Sequence, residues 1–199
     1  MVNSATTMVE ALNEYFKGQA ELEGKCLVDY VQFDTQYEQV YSDTDISAAE
    51  AFIQPRGGTA LIDAIGRGTD ELGKKLKALP EALRPGKVLV VVVTDGYENS
   101  SRRYTASQVK DMVTKQQDVW KWEYVFLGAN IDAVAVGDLY GFEAGKSLTF
   151  NIDDDVAVAA TSQVLSAHTH TYRGGGNYTF SDDDRQKSMG QTVDSDETV

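Results

Sequence analysis

The sequence predicts an α/β fold in three layers: a mostly parallel sheet, helices on both of its faces, and one antiparallel hairpin at its edge. Three observations predict it. Strand-like and helix-like segments alternate along most of the chain, as βαβ units require. Residues 88–93 read VLVVVV, an apolar run too short for a bilayer and rich in β-branched side chains, which suits a central parallel strand buried on both faces. A length of 199 residues allows one such domain, placed at residues 1–171, and a tail at residues 172–199.

Each element has its own signal. Residues 4–23 place Met8, Leu12, Tyr15 and Phe16 at helical spacing, with Ser4 or Thr7 to cap and Gly24 past the end. Strand patterns at residues 26–33 and 37–41 are separated only by Asp34-Thr35-Gln36, so they predict an antiparallel hairpin. The segment at residues 44–55 reads as irregular. Residues 60–79 form an amphipathic helix whose Gly66, Gly68 and Gly73 lower its propensity and point to close packing. After the strand at residues 88–93, Thr105 caps a helix running to Trp120, residues 124–127 form the next strand, and a short helix covers residues 130–139. An edge strand at residues 147–150 and a helix at residues 153–168 follow. From Tyr172 the chain turns polar, glycine-rich and acidic, which predicts a mobile tail.

Composition excludes several classes. The formal net charge of −13 opposes phosphate backbones and anionic lipid, so nucleic acid is not an expected partner. No apolar stretch approaches the roughly 20 residues that cross a bilayer, and residues 1–7 lack the basic and apolar segments of a signal peptide. The single cysteine, Cys26, excludes an intramolecular disulfide. The expectation is a cytoplasmic protein, or a virion component if phage-encoded.

The chemistry gathers at the end of the apolar run. There Thr94, Asp95 and Gly96 put a hydroxyl, a carboxylate and a free turn at the edge where open α/β sheets hold ligands. Upstream, Arg56-Gly57-Gly58-Thr59 forms a glycine loop directly before a helix, so that Thr59 can face the same edge. RGGTALIDAIG and VVVVTDGYENSS together resemble two of the three loops of the von Willebrand factor A domain, in its compact bacterial and phage form. WEYVFLGANIDA, from Trp122, resembles that family's next strand and loop, and the resemblance covers roughly residues 3–150. It implies a Rossmann-like sheet and a metal-ion-dependent adhesion site in which Mg²⁺, Mn²⁺ or Ca²⁺ is held by hard oxygens and completed by a partner's carboxylate. By that resemblance Thr59 is a hydroxyl ligand and Asp95 a carboxylate ligand. Arg56, Gly58, Glu98, Asn99, Asn130 and Asp132 are partner-binding candidates on the same rim, with turn and capping roles as the plainer reading.

The resemblance also implies a gap. The family's first strand lies mid-sheet and ends in an Asp-x-Ser-x-Ser loop that supplies three ligands, whereas this chain begins in what resembles the following helix. Thr59 and Asp95 alone would bind a cation weakly or not at all. Without that strand the sheet has an unpaired apolar edge, through which the chain could oligomerise. Three readings are open: the true start lies upstream, a strand from another chain completes the sheet, or residues 27–33 pair directly with residues 89–93. The first is favoured.

Other motifs count for less. GFEAGKS, residues 141–147, has one residue too few for a phosphate-binding loop and reads as a turn. His168 and His170 could meet a metal on an extended segment, although a helix-terminal role is the stronger reading. Asp182 to Asp184 read as a solvated acidic run. No nucleophile elbow and no Ser-His-Asp spacing is present, so no enzyme is expected. The expected function is non-enzymatic protein recognition of the von Willebrand factor A type. The alternative is a structural or assembly role, in a phage particle or a stress operon, with no functional metal site.

Overall fold

A computed structural model describes residues 2–54 and 56–191. In chain order the elements are α1 (Val2–Ala20), β1 (Leu27–Phe33), β2 (Tyr37–Asp45), α2 (Leu61–Ala78), β3 (Leu89–Thr94), α3 (Ala106–Trp120), β4 (Glu123–Ala129), α4 (Ala133–Leu139), β5 (Ser147–Phe150), α5 (Asp155–Arg173) and α6 (Asp182–Ser188). The fold is mixed α/β, with a three-stranded parallel sheet in the order β3-β4-β5, flanked by helices, and a two-stranded antiparallel sheet, β1-β2.

Two expectations are corrected here. The hairpin is a sheet of its own and not an edge of the parallel sheet, so among the described residues the open reading that paired residues 27–33 with residues 89–93 is not realised. Nor is β3 central: it lies at the edge of its sheet, and β4 takes the middle. The apolar run predicts two faces that want cover, but it cannot say how many strands lie beside it. Exposure follows the order, since Leu89, Val90, Val91 and Val93 are only half-buried while every residue of β4 after Glu123 is buried.

The described chain folds into two compact units, one of residues 33–38 and 56–147, the other of residues 2–32, 39–54 and 148–191. In the first, β3 and β4 pair in parallel with Val92 beside Phe126 and Thr94 beside Gly128. Val92 joins Leu61 and Ile65 of α2, Val109 and Val113 of α3, and Tyr124 and Phe126 of β4 in one core, against which Val88 and Val90 also pack. Alternation puts Val88, Val90 and Val92 on this core face. Each fully buried aromatic or aliphatic side chain contributes about 1.5–3 kcal/mol. Two details fix the helices. Thr105 and Gln108 form a reciprocal capping box at the start of α3, and a Cβ on Gly66 of α2 would fall 2.7 Å from the Tyr104 ring, which is why that position is a glycine.

In the second unit α1 packs on α5. Tyr15 donates to Thr169 Oγ1 (3.3 Å), and the buried Gln19 amide donates to Ser166 O (3.1 Å) and Oγ (3.0 Å). The Arg173 guanidinium donates to the carbonyls of Gln19 (2.6 Å), Glu23 (3.2 Å) and Gly24 (3.2 Å), placing a cation where the end of α1 leaves acceptors unpaired. Burial pushes the Tyr15 phenol up to about 12.

Residues 172–191, a polar tail by composition, carry structure. Tyr178 and Phe180 are 1% and 4% exposed and pack around the His168 ring at 5.5 and 5.2 Å. Ser181 and Asp184 then form a capping box that opens α6, so the Asp182 to Asp184 run is that helix's first turn, where its dipole favours anions. Asp184 Oδ2 also meets His168 Nε2 at 2.9 Å. The remainder of the expected tail, residues 192–199, lies outside the described residues. Because α5 extends to Arg173, His168 and His170 lie two apart on a helix, a spacing that does not face them to one side.

Candidate functional site

The site is the rim at the carboxyl ends of β3 and β4, met by the loop that starts α2. The register that sets Thr94 beside Gly128 sends Asp95 and the segment at residues 129–132 out of the sheet at the same end. Thr94 is buried, and its hydroxyl spans the turn, donating to Gly96 O (3.0 Å) and accepting from Gly96 N (3.3 Å). That turn leaves Asp95 exposed. The next loop reaches the same place, since a Cβ built on Gly96 would lie 3.0 Å from Thr59 Oγ1. Thr59 and the Thr94-Asp95-Gly96 turn are therefore neighbours.

The two loops are latched. Asn99 Oδ1 accepts from Thr59 N (2.8 Å), and Asn99 N donates to Thr59 O (3.0 Å). Glu98 is the hub: Oε2 accepts from Ile62 N (2.9 Å) and Ser101 Oγ (2.7 Å), Oε1 from Ser100 N (2.8 Å) and Ser101 N (2.7 Å). Asp63 answers from α2, its carboxylate accepting from the backbone N–H groups of Arg102 (2.8 Å), Arg103 (2.9 Å) and Tyr104 (2.9 Å), while Asp63 N donates to Ser101 Oγ (2.9 Å). The first-turn amides of α2 have no intrahelical partners, so the loop's carboxylate and hydroxyl supply them. Burial raises the Glu98 carboxyl, but these donors outweigh it and hold the group below its ordinary value. Asp63 behaves alike, burial opposing and the backbone donors of residues 102–104 prevailing.

A third tie comes from residues 33–38. Asp34 accepts from Gln36 N and pairs with Arg56, while Asp34 O accepts from Ala60 N (2.7 Å). Arg56 also meets Glu38 at 3.0 Å. The hydrogen bond from Gln36 N, followed by the charge of Arg56, lowers the Asp34 carboxyl despite its burial.

The sequence-derived residues thus divide. Thr59 lies against Gly96, the residue after the exposed Asp95. Arg56 pairs with Asp34 and Glu38, while the Glu98 carboxylate and Asn99 Oδ1 accept from backbone of the two loops and of α2. Gly58 is where a Cβ would fall 2.3 Å from Ser100 Oγ, so its role is to let the two loops close. Asn130 adopts φ +55°, a left-handed turn that Asn tolerates, and Asp132 caps α4 by accepting from Ala135 N (3.0 Å). Asp34 and Asp63 were not legible as parts of the site. A carboxylate in a helix's first turn reads as a dipole partner, and nothing local tells that it caps a loop some forty residues later.

As a cation site the rim is incomplete. Divalent cations of this class take about six or more oxygens, and Thr59 and Asp95 offer one hydroxyl and one carboxylate. Glu98 has no lone pair to spare. Among the described residues no three His, Cys, Asp or Glu side chains cluster as a metal would need. Lys146 of the GFEAGKS segment pairs with Glu123 and Glu143, consistent with a turn. No helix among the described residues is long and apolar enough to cross a membrane. Comparison of the chain with protein-family models, curated proteins and solved structures finds no match.

Proposed function

We propose that the chain is a non-enzymatic protein-recognition module of von Willebrand factor A type that meets its partner through this rim. The observation that carries the reading is the apposition of Thr59 to the Thr94-Asp95-Gly96 turn. Latches of Glu98, Asp63 and Asn99 hold both loops before any partner arrives, and a rim set in advance spends little affinity on ordering. Its role would be to present one exposed carboxylate, one hydroxyl and nearby backbone to a partner surface. Thr59 and Asp95 would share a hydrated Mg²⁺ weakly, and a carboxylate from the partner would strengthen that hold.

Thermal unfolding in Mg²⁺ and in EDTA tests this, comparing the wild-type chain with Thr59→Ala/Asp95→Ala. Ligand that binds only the folded state raises stability by mass action. A Mg²⁺-dependent rise in the wild type that the double variant loses supports the reading; equal behaviour of the two chains removes the cation from it. A structural or assembly role is the second reading, favoured by the position of β3 at the open edge of its sheet.

A further inference from the structure

The most apolar strand of the chain is an edge strand. In β3, Leu89, Val90, Val91 and Val93 are half-buried, and among the described residues β4 is its only strand neighbour. Folded proteins usually blunt such an edge with charge, proline or a bulge, and residues 89–93 contain none of these.

The direction of the backbone groups shows what the edge can accept. Val88 O accepts from Glu123 N (2.8 Å), and β4 pairs in register with Leu89 opposite Glu123. In a strand the N–H and C=O of one residue point to the same side and alternate along the chain. Val88, Val90 and Val92 therefore address β4, and Leu89, Val91 and Val93 turn their N–H and C=O groups outward. Among the described residues no strand other than β4 pairs with β3.

We infer that the outer edge of β3 pairs antiparallel with β3 of a second copy of this chain, about a two-fold axis at Val91. In that register Val91 faces Val91, and Leu89 faces Val93 in both directions. All three outward residues then form hydrogen-bonded pairs, roughly six backbone bonds in total. A slip of one residue would set outward-facing groups against inward-facing ones. The ends argue for a second copy over an unrelated strand. Lys87, exposed at the start of the strand, falls opposite Asp95 of the second copy, exposed at its finish, and the symmetry makes this happen twice. A self-complementary pattern of opposite charge outside and β-branched side chains inside is what an isologous strand pair requires. The inference does not rest on the cation reading, because the backbone ladder carries the pairing.

Sedimentation equilibrium of the full 199-residue chain tests it. The wild type should dimerise. Val91→Pro removes an outward N–H without touching the ladder to β4, and should give a monomer with unchanged far-ultraviolet circular dichroism. Lys87→Asp and Asp95→Lys should each loosen the dimer by roughly tenfold, since each sets like charges together twice. Combined, they restore opposite charges and should return the dissociation constant to within about threefold of the wild type. That charge swap decides the matter even if Val91→Pro fails to fold. A chain still monomeric at about 1 mM would overturn the inference, as would a dimer insensitive to Val91→Pro or a double variant no tighter than the singles.

Discussion

Removing the Glu98 carboxylate should open the latch between α2 and the loop after β3. In the wild type that group accepts from three backbone amides, Ile62, Ser100 and Ser101, and from the Ser101 hydroxyl. Glu98→Ala leaves all four donors to find water. Bonds to a charged acceptor lie at the upper end of the usual net range, but the site is half-exposed and water recovers part of the loss, so about 1 kcal/mol for each backbone amide is reasonable, about 3 kcal/mol in total. For a chain of this size that corresponds to a fall in Tm of roughly 6–12 °C. Urea unfolding at pH 7 measures it directly, and pH separates its cause. The folded carboxyl titrates below its ordinary value, so its stabilisation is fully present above the unfolded value near 4.3 and is lost as pH falls through the lower folded value. The gap between wild type and Glu98→Ala should therefore be constant from neutrality to about pH 5 and close in stronger acid. A loss below about 0.5 kcal/mol at pH 7, the level of an ordinary surface change, would refute the latch.

Three further outcomes follow from the same geometry. Asp63→Asn keeps one acceptor oxygen but turns a donor toward the amide of residue 102, and should cost about 1–2 kcal/mol by chemical denaturation, again only above the acid range because the folded Asp63 carboxyl is also held low. Gly66→Ala gains helix propensity of about 1 kcal/mol yet drives a methyl to 2.7 Å from Tyr104 Cγ; overpacking should win, leaving a net loss of about 1–2 kcal/mol in equilibrium unfolding and a changed Tyr104 ring signal by nuclear magnetic resonance. Asp184→Ala removes the carboxylate half of the Ser181 capping box and the His168 contact, and hydrogen exchange across residues 181–188 should accelerate by about tenfold or more while α2 amides stay protected.

What the sequence alone settled was local. The helical spacing in α1, the Thr105 cap of α3, the hairpin across Asp34-Thr35-Gln36 and the β-branched run of β3 are each written within a few residues, where propensity and capping act. The nearness of Thr59 to the Thr94-Asp95-Gly96 turn could be anticipated too, because glycine loops at helix starts and strand ends share one edge of an α/β sheet. Tertiary structure decided the rest. Glu98, Asn99 and Arg56 look alike in sequence as rim groups free to meet a partner, and only folding shows the Glu98 carboxylate engaged by Ile62, Asn99 Oδ1 by Thr59, and Arg56 by Asp34 and Glu38. Tyr178 and Phe180 sit in a stretch whose composition reads as a tail, yet two aromatic rings around His168 suffice to anchor it. Strand order was the hardest to read, because the apolarity of β3 records how much surface it must bury, while its place at the edge depends on which strands of the whole assembly stand beside it.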